Sequence, residues 1–223
     1  METLKTRYKP TRTLRKYFIT GILEHAYKEK MAVVITIVSS PYSVSFRGNG
    51  KTSYALRSVA AYYYFVHGYG LDKAWEKALD NLVFTVDELI GRVESSRPGD
   101  IIIADDIGYH VPRRAAYSKE DFKLFSEIDV FRTKGTGIVF TAPHIKRLPT
   151  QLIMHSEYLV YVARLVGWSS KAHIYKLMYS MEKPYLNPRF QKIAEETFPT
   201  RYPNKIYNKY IEKRLKALHE RNI

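Results

Sequence analysis

Ala32–Val38 (AVVITIV) and Ile101–Ala104 (IIIA) are short runs, nearly or wholly apolar and rich in β-branched residues. A strand turns successive side chains to opposite faces, so a run that is apolar throughout must be covered on both sides. That condition selects a parallel sheet between two helical layers. The rest of the chain supplies the helices. Thr13–Lys30 carries Leu14, Phe18, Ile22 and Leu23 with charges between them. Lys51–Val66 contains no Gly or Pro and repeats its apolar residues at helical spacing, and His67-Gly68-Tyr69-Gly70 ends it. Asp72–Leu79 is a short helix, Leu82–Phe84 a strand, and Thr85 with Glu88 a capping box. Ser118 caps a further helix running to about Arg132, Ile138–Phe140 is the next strand, and Tyr158–Leu165 with His173–Tyr179 forms a strand pair. Strand and helix alternating in this way predict an α/β fold, a three-layer parallel sheet with a C-terminal hairpin and a basic helix over Tyr207–Arg221.

Length and charge bound the rest. A chain of 223 residues supports one sizeable core. It divides into a basic helical segment 1–30, a core 31–180 and a basic helical tail 181–223. Without cysteine, disulfides, thiolate catalysis and Cys-based zinc sites are excluded. Two glutamines among 223 residues lean toward a thermophile. No apolar run approaches a bilayer span and no signal peptide is evident, so the expectation is a soluble cytoplasmic protein without membrane contact. The net charge of +14 predicts a polyanionic partner, with DNA the natural one. Residues 1–30 hold eight Lys/Arg against three acids and residues 201–223 hold seven against two, interleaved with Tyr8, Tyr17, Phe18, Tyr202, Tyr207 and Tyr210. Such interleaving suits base stacking, or else two solvated ends.

Chemistry concentrates at the ends of the apolar strands. Ser45-Phe-Arg-Gly48-Asn49-Gly50-Lys51-Thr52 fits G-x-x-x-x-G-K-[ST] at every fixed position but the first, where Ser45 replaces glycine. Glycines let backbone N–H groups turn around phosphate oxygens, Lys51 reaches the β- and γ-phosphates, Thr52 ligates magnesium, and Ser53 continues the cradle. Eleven residues separate Val38 from Gly50, so either Tyr42–Phe46 extends the strand or the loop carries an insertion. Arg47 within it faces phosphate or solvent. The second motif is Ile101–Ala104 followed by Asp105-Asp106: Asp105 is the candidate magnesium ligand and Asp106 the candidate acid that orients the attacking water. The third is Gly137–Phe140 followed by Thr141, placed to sense a γ-phosphate. Arg132 is a candidate arginine finger reaching across a subunit interface, with Arg147 and Arg164 as competitors. His110, His144, His155 and His173 lack ligand-type spacing with acids and read as structural. Tyr62-Tyr63-Tyr64-Phe65 reads as helix packing. Together these predict a site for ATP and Mg2+.

Val83-Phe-Thr-Val-Asp-Glu-Leu89 and Ile101-Ile-Ile-Ala-Asp-Asp-Ile-Gly-Tyr109 resemble the initiator and helicase-loader ATPases of the DnaA/DnaC/IstB (AAA+) type. The layout also resembles the short DnaA-like ATPases of crenarchaeal viruses and plasmids, and the likeness spans about residues 32–150. It implies an ASCE-type ATPase core acting on DNA as a homo-oligomer, in replication initiation or helicase loading, with a helicase or other replication protein as a further partner. The strand pair after Thr141 is instead similar to the FtsK/HerA translocation and packaging ATPases. A small P-loop kinase with Arg113-Arg114 in its lid, and a DNA-binding protein with a vestigial loop, are the readings from other classes.

Overall fold

The computed structural model describes residues 14–43, 48–106, 133–165, 167–178 and 189–219. Ser45, Arg47, His110, Arg113, Arg114, Arg132 and the helix expected from Ser118 lie outside the described residues. In chain order the elements are α1 (Phe18–Lys28), β1 (Val33–Ser39), α2 (Lys51–Phe65), α3 (Leu71–Asp80), β2 (Leu82–Val83), α4 (Val86–Glu94), β3 (Ile101–Ala104) and β4 (Gly137–Ala142). After a short 3-10 turn at Ile145–Arg147 come α5 (Thr150–His155), β5 (Tyr158–Arg164), β6 (Ser169–Met178), β7 (Arg189–Pro199) and α6 (Asn204–His219).

The strands make one sheet in the order β2-β3-β4-β1-β5-β6-β7. The pairs from β2 through β5 are parallel, and β5–β6 and β6–β7 are antiparallel. Alternation within the apolar strands divides the core as expected. Val33, Ile35, Ile37, Ile101, Ile103 and Val139 face one layer with Leu23, Leu56, Val59 and Trp75. Val34, Val38, Ile102, Ala104, Ile138 and Phe140 face the other with Leu89, Val93 and Leu152. The first layer is α1, α2, α3 and α6; the second contains α4 and α5. Helix α2 is buried over most of its circumference, Tyr62 and Tyr63 included, while Tyr64 and Phe65 reach solvent. The capping box at α4 forms as its sequence predicts: Thr85 Oγ1 accepts from Glu88 N at 3.1 Å, and Glu88 Oε2 accepts from Thr85 N at 3.3 Å and also from Phe84 N at 2.6 Å.

One open alternative is narrowed and one expectation is corrected. Strand β1 stops at Ser39, and Tyr42 is 94% exposed, so the strand does not run on through Tyr42. The segment 181–223 is not a helical tail throughout. Its first described part is β7, the sheet edge, hydrogen-bonded to β6 along its length. Phe198 at the end of β7 is 2% exposed and packs against Tyr54 of α2 in a tilted arrangement with ring centroids 4.8 Å apart. The basic residues that follow are largely engaged within the chain. Lys209 Nζ donates to Glu76 at 2.8 Å, and Lys213 Nζ donates to the carbonyls of Leu79 and Asp80 that end α3. Tyr17, Tyr202 and Tyr210 are buried, so those three aromatics are core and not a stacking surface.

Phe198→Ala should therefore cost about 3–5 kcal/mol by large-to-small truncation of a buried aromatic. Urea unfolding measures it. A loss below about 0.5 kcal/mol, the scale of a surface substitution, would show that β7 is not part of the folded core.

Candidate nucleotide-binding site

The site forms where β1, β3 and β4 end and α2 begins. Parallel sheets bring the ends of non-consecutive strands side by side, and here β4 lies between β1 and β3. Gly50 caps α2 with φ +90°, and Gly48 has φ +71°, both in the left-handed region open to glycine. A Cβ on Gly50 would also stand 2.8 Å from Thr200 Cγ2 and 3.2 Å from Phe198 Cε2. The turn thus owes its shape partly to the strand that ends beside it. Asn49 is 2% exposed and its carbonyl accepts from Ser170 Oγ at 2.7 Å. Ser53 Oγ donates to Thr200 O at 2.6 Å. The loop is held from below by β6 and from the side by the end of β7.

Lys51 opens α2, is 7% exposed, and donates to Ser39 Oγ at 3.2 Å. Burial holds its ammonium below the ordinary lysine range, with Asp106 and Asp105 acting in the opposite direction. A folded-state value below the unfolded one means that charged Lys51 costs stability at neutral pH, and the cost is relieved as pH rises through the folded value. A bound anion offsets the same cost.

The central group is Asp105, fully buried at the end of β3. Its Oδ1 accepts from Thr52 Oγ1 at 2.7 Å and from Thr141 Oγ1 at 2.6 Å. Its Oδ2 accepts from Tyr210 OH at 3.1 Å. Burial and the neighbouring Asp105 push the Tyr210 phenol well above the usual tyrosine range, so it stays a donor. Asp106 has φ +52°, a conformation aspartate tolerates, and its N–H donates to Thr141 Oγ1 at 2.9 Å. Its carboxylate meets Arg214 Nη2 at 3.3 Å, and Arg214 Nη1 donates to Tyr210 OH at 3.2 Å.

These groups border a cleft of about 1030 Å³ whose lining includes Gly48–Ser53, Asp105, Asp106, Trp168, Tyr207 and Arg214. Among the described residues four cations face it, Lys51, Arg164, Arg201 and Arg214, against the two aspartates, a balance that favours an anionic ligand. The donor set also suits a hard cation. A threonine hydroxyl and a carboxylate 2.7 Å apart at a glycine-loop helix start are oxygen ligands of the kind magnesium takes alongside phosphate.

Sequence reasoning brought Gly48, Asn49, Gly50, Lys51, Thr52, Ser53, Asp105, Asp106 and Thr141 together, and the structure places them within one site. Thr141 lies beneath the cleft floor, its hydroxyl engaged by both aspartates. Of the arginines, Arg164 lines the cleft with Nη1 3.5 Å from Gly48 O, and Arg147 is exposed outside it. Ser39, Tyr210 and Arg214 were missed. The available signal was the helical spacing of Asn204, Tyr207, Ile211, Arg214 and Leu218, which form one face and line the cleft. Among the described residues no group of three or more His or acidic side chains forms a metal cluster, and no helix is long and apolar enough to cross a membrane.

The strand order and the convergence of Gly50-Lys51-Thr52 with Asp105 define a P-loop NTPase fold with a nucleotide-binding site. The family described as zonular occludens toxin (Zot) matches residues 79–213, more than half of the chain, and the chain belongs to this family. The matched span includes Asp105, Asp106, Thr141 and Tyr210 and leaves out the glycine loop. Uncharacterized protein B-251 of Sulfolobus spindle-shape virus 1 is 37% identical over 101 residues, 44% of this chain and 40% of that protein, so the chain aligns with about two-fifths of its relative. The crystal structure of the N-terminal domain of zonular occludens toxin from Neisseria meningitidis is similar with a TM-score of 0.43 and 18% identity, covering 80% of this chain and 98% of that domain.

Thr141→Val removes one of three hydroxyl donors from a buried carboxylate and the acceptor for Asp106 N–H. It should cost about 1–3 kcal/mol, most of it regained by Thr141→Ser. Chemical denaturation measures the difference. Equal stability of Val and Ser variants would show that the hydroxyl holds nothing.

Proposed function

We propose that this chain binds Mg-ATP in the cleft, hydrolyses it, and works as a DNA-associated ATPase. The observation that carries the reading is the meeting of Thr52, at the start of the loop helix, with Asp105, at the end of the strand two places away, beside buried Lys51. Lys51 meets the β- and γ-phosphates, Thr52 and Asp105 hold the metal, and the glycine loop turns its N–H groups to the phosphate chain. Magnesium supplies neutralisation of the charge developing on the phosphate oxygens. Asp106, beside Asp105 at the cleft, is the acid that orients the attacking water. It is shorter than glutamate by a methylene and is also engaged by Arg214, so turnover is slow.

The net charge of +14 supports a polyanionic partner. Two DNA roles are in view, replication initiation or helicase loading and DNA translocation or packaging. The antiparallel continuation β5-β6-β7 after the sensor strand favours the second, because a strand pair in that place resembles the FtsK/HerA translocation and packaging ATPases.

Phosphate release from ATP, measured with and without single- and double-stranded DNA, tests the reading. Turnover should rise with DNA and fall at least about 100-fold in Lys51→Ala. Unchanged turnover in Lys51→Ala would remove the site assignment. Phosphate transfer to a nucleoside without any DNA effect would replace the ATPase by a kinase.

A further inference from the structure

Helix α6 meets the acid pair through Tyr210 and Arg214, and its contacts there are of two kinds. Tyr210 is 5% exposed and belongs to the core cluster, with its ring 6.2 Å from Phe84 and 5.9 Å from Tyr202. It is fixed. Arg214, one turn further on, is different: its side chain is 44% exposed, that of its partner Asp106 27%, and the two meet at 3.3 Å through a single nitrogen. A half-exposed ion pair of this length is weak and easily exchanged. Arg214 nevertheless stands over the same cleft as Lys51, near enough that its charge helps lower the Lys51 ammonium. An arginine fork pairs best with an anion that offers two oxygens at once, and a terminal phosphoryl group carries more charge and more acceptor oxygens than one carboxylate.

We propose that Arg214 is the terminal-phosphate ligand of this site, supplied in cis by α6, and that it distinguishes a nucleoside triphosphate from a diphosphate by leaving Asp106 for the γ-phosphoryl group. The exchange has a second consequence. Asp106 loses the Arg214 ion pair only when a triphosphate is present, so the substrate itself removes that constraint from the acid that orients water. Tyr210 stays on Asp105 and acts as the pivot, which keeps the arginine within reach of both partners. The arginine needs no neighbouring subunit. This inference rests on the nucleotide-site reading above and adds the residue that reads the number of phosphates.

The test is binding, measured by calorimetry with Mg-ADP and with the slowly hydrolysed Mg-ATPγS, on the wild type, Lys51→Ala, Arg214→Ala and Arg214→Lys, each checked for an unchanged unfolding transition. Arg214→Ala should weaken ATPγS about 10- to 100-fold and ADP less than about 3-fold, with Arg214→Lys between wild type and alanine. Hydrogen exchange gives an independent readout: α6 amides should be slower with ATPγS than with ADP in the wild type and equal in Arg214→Ala. Equal losses for both nucleotides, or none, would overturn the role of Arg214 while leaving the site intact. Wild-type protein that binds neither nucleotide would overturn the site and this inference together.

Discussion

A single buried carboxylate organises the functional half of the molecule. Asp105 is removed from water, and a charge so placed must be met by hydrogen bonds or it destabilises the fold. Three hydroxyls meet it, from Thr52 on α2, Thr141 on β4 and Tyr210 on α6. One side chain therefore ties the glycine-loop helix, the sensor strand and the C-terminal helix to the end of β3. Asp105 is buried and bonded on both oxygens, whereas Asp106 beside it is partly exposed and borders the cleft with its ion-pair partner Arg214.

The loop is built on the same economy. Its glycines make the left-handed turns, but its position comes from the sheet extension: Ser170 of β6 binds Asn49, Thr200 binds Ser53, and Phe198 packs against Tyr54. In a shorter sheet Asn49, Ser53 and Tyr54 would lose these contacts. The antiparallel strands are thus part of how the nucleotide site is positioned, and a C-terminal region rich in charge turns inward to complete it.

This division decides what the amino-acid sequence discloses. The parallel strands, the loop helix and the acid pair are legible because each is a local pattern: an all-apolar run, a glycine-lysine-threonine at a helix start, two acids at a strand end. The place of β4 between β1 and β3 is not such a pattern and comes from the strand pairing alone. Strand β7 carries no such pattern, because an edge strand alternates with solvent and Arg189–Pro199 is largely polar. Tyr210 and Arg214 reach acids more than a hundred residues away. Interleaved tyrosine and lysine read equally as a solvated, base-stacking surface and as an amphipathic helix whose aromatic face is buried. Only the tertiary contacts separate those two. The family match fits the same picture, since it covers the acid pair and most of α6 and omits the glycine loop.

The account stands on Asp105 as the group that brings metal and loop together. Manganese can replace magnesium as a paramagnetic probe, so the direct measurement is Mn2+ binding in the presence of ATP, followed by electron paramagnetic resonance, for wild type and Asp105→Asn. The wild type should hold Mn-ATP in a ternary complex, and Asp105→Asn should weaken it at least about tenfold, the range expected for loss of a metal-site carboxylate. Equal Mn-ATP binding by a folded Asp105→Asn variant would contradict the account.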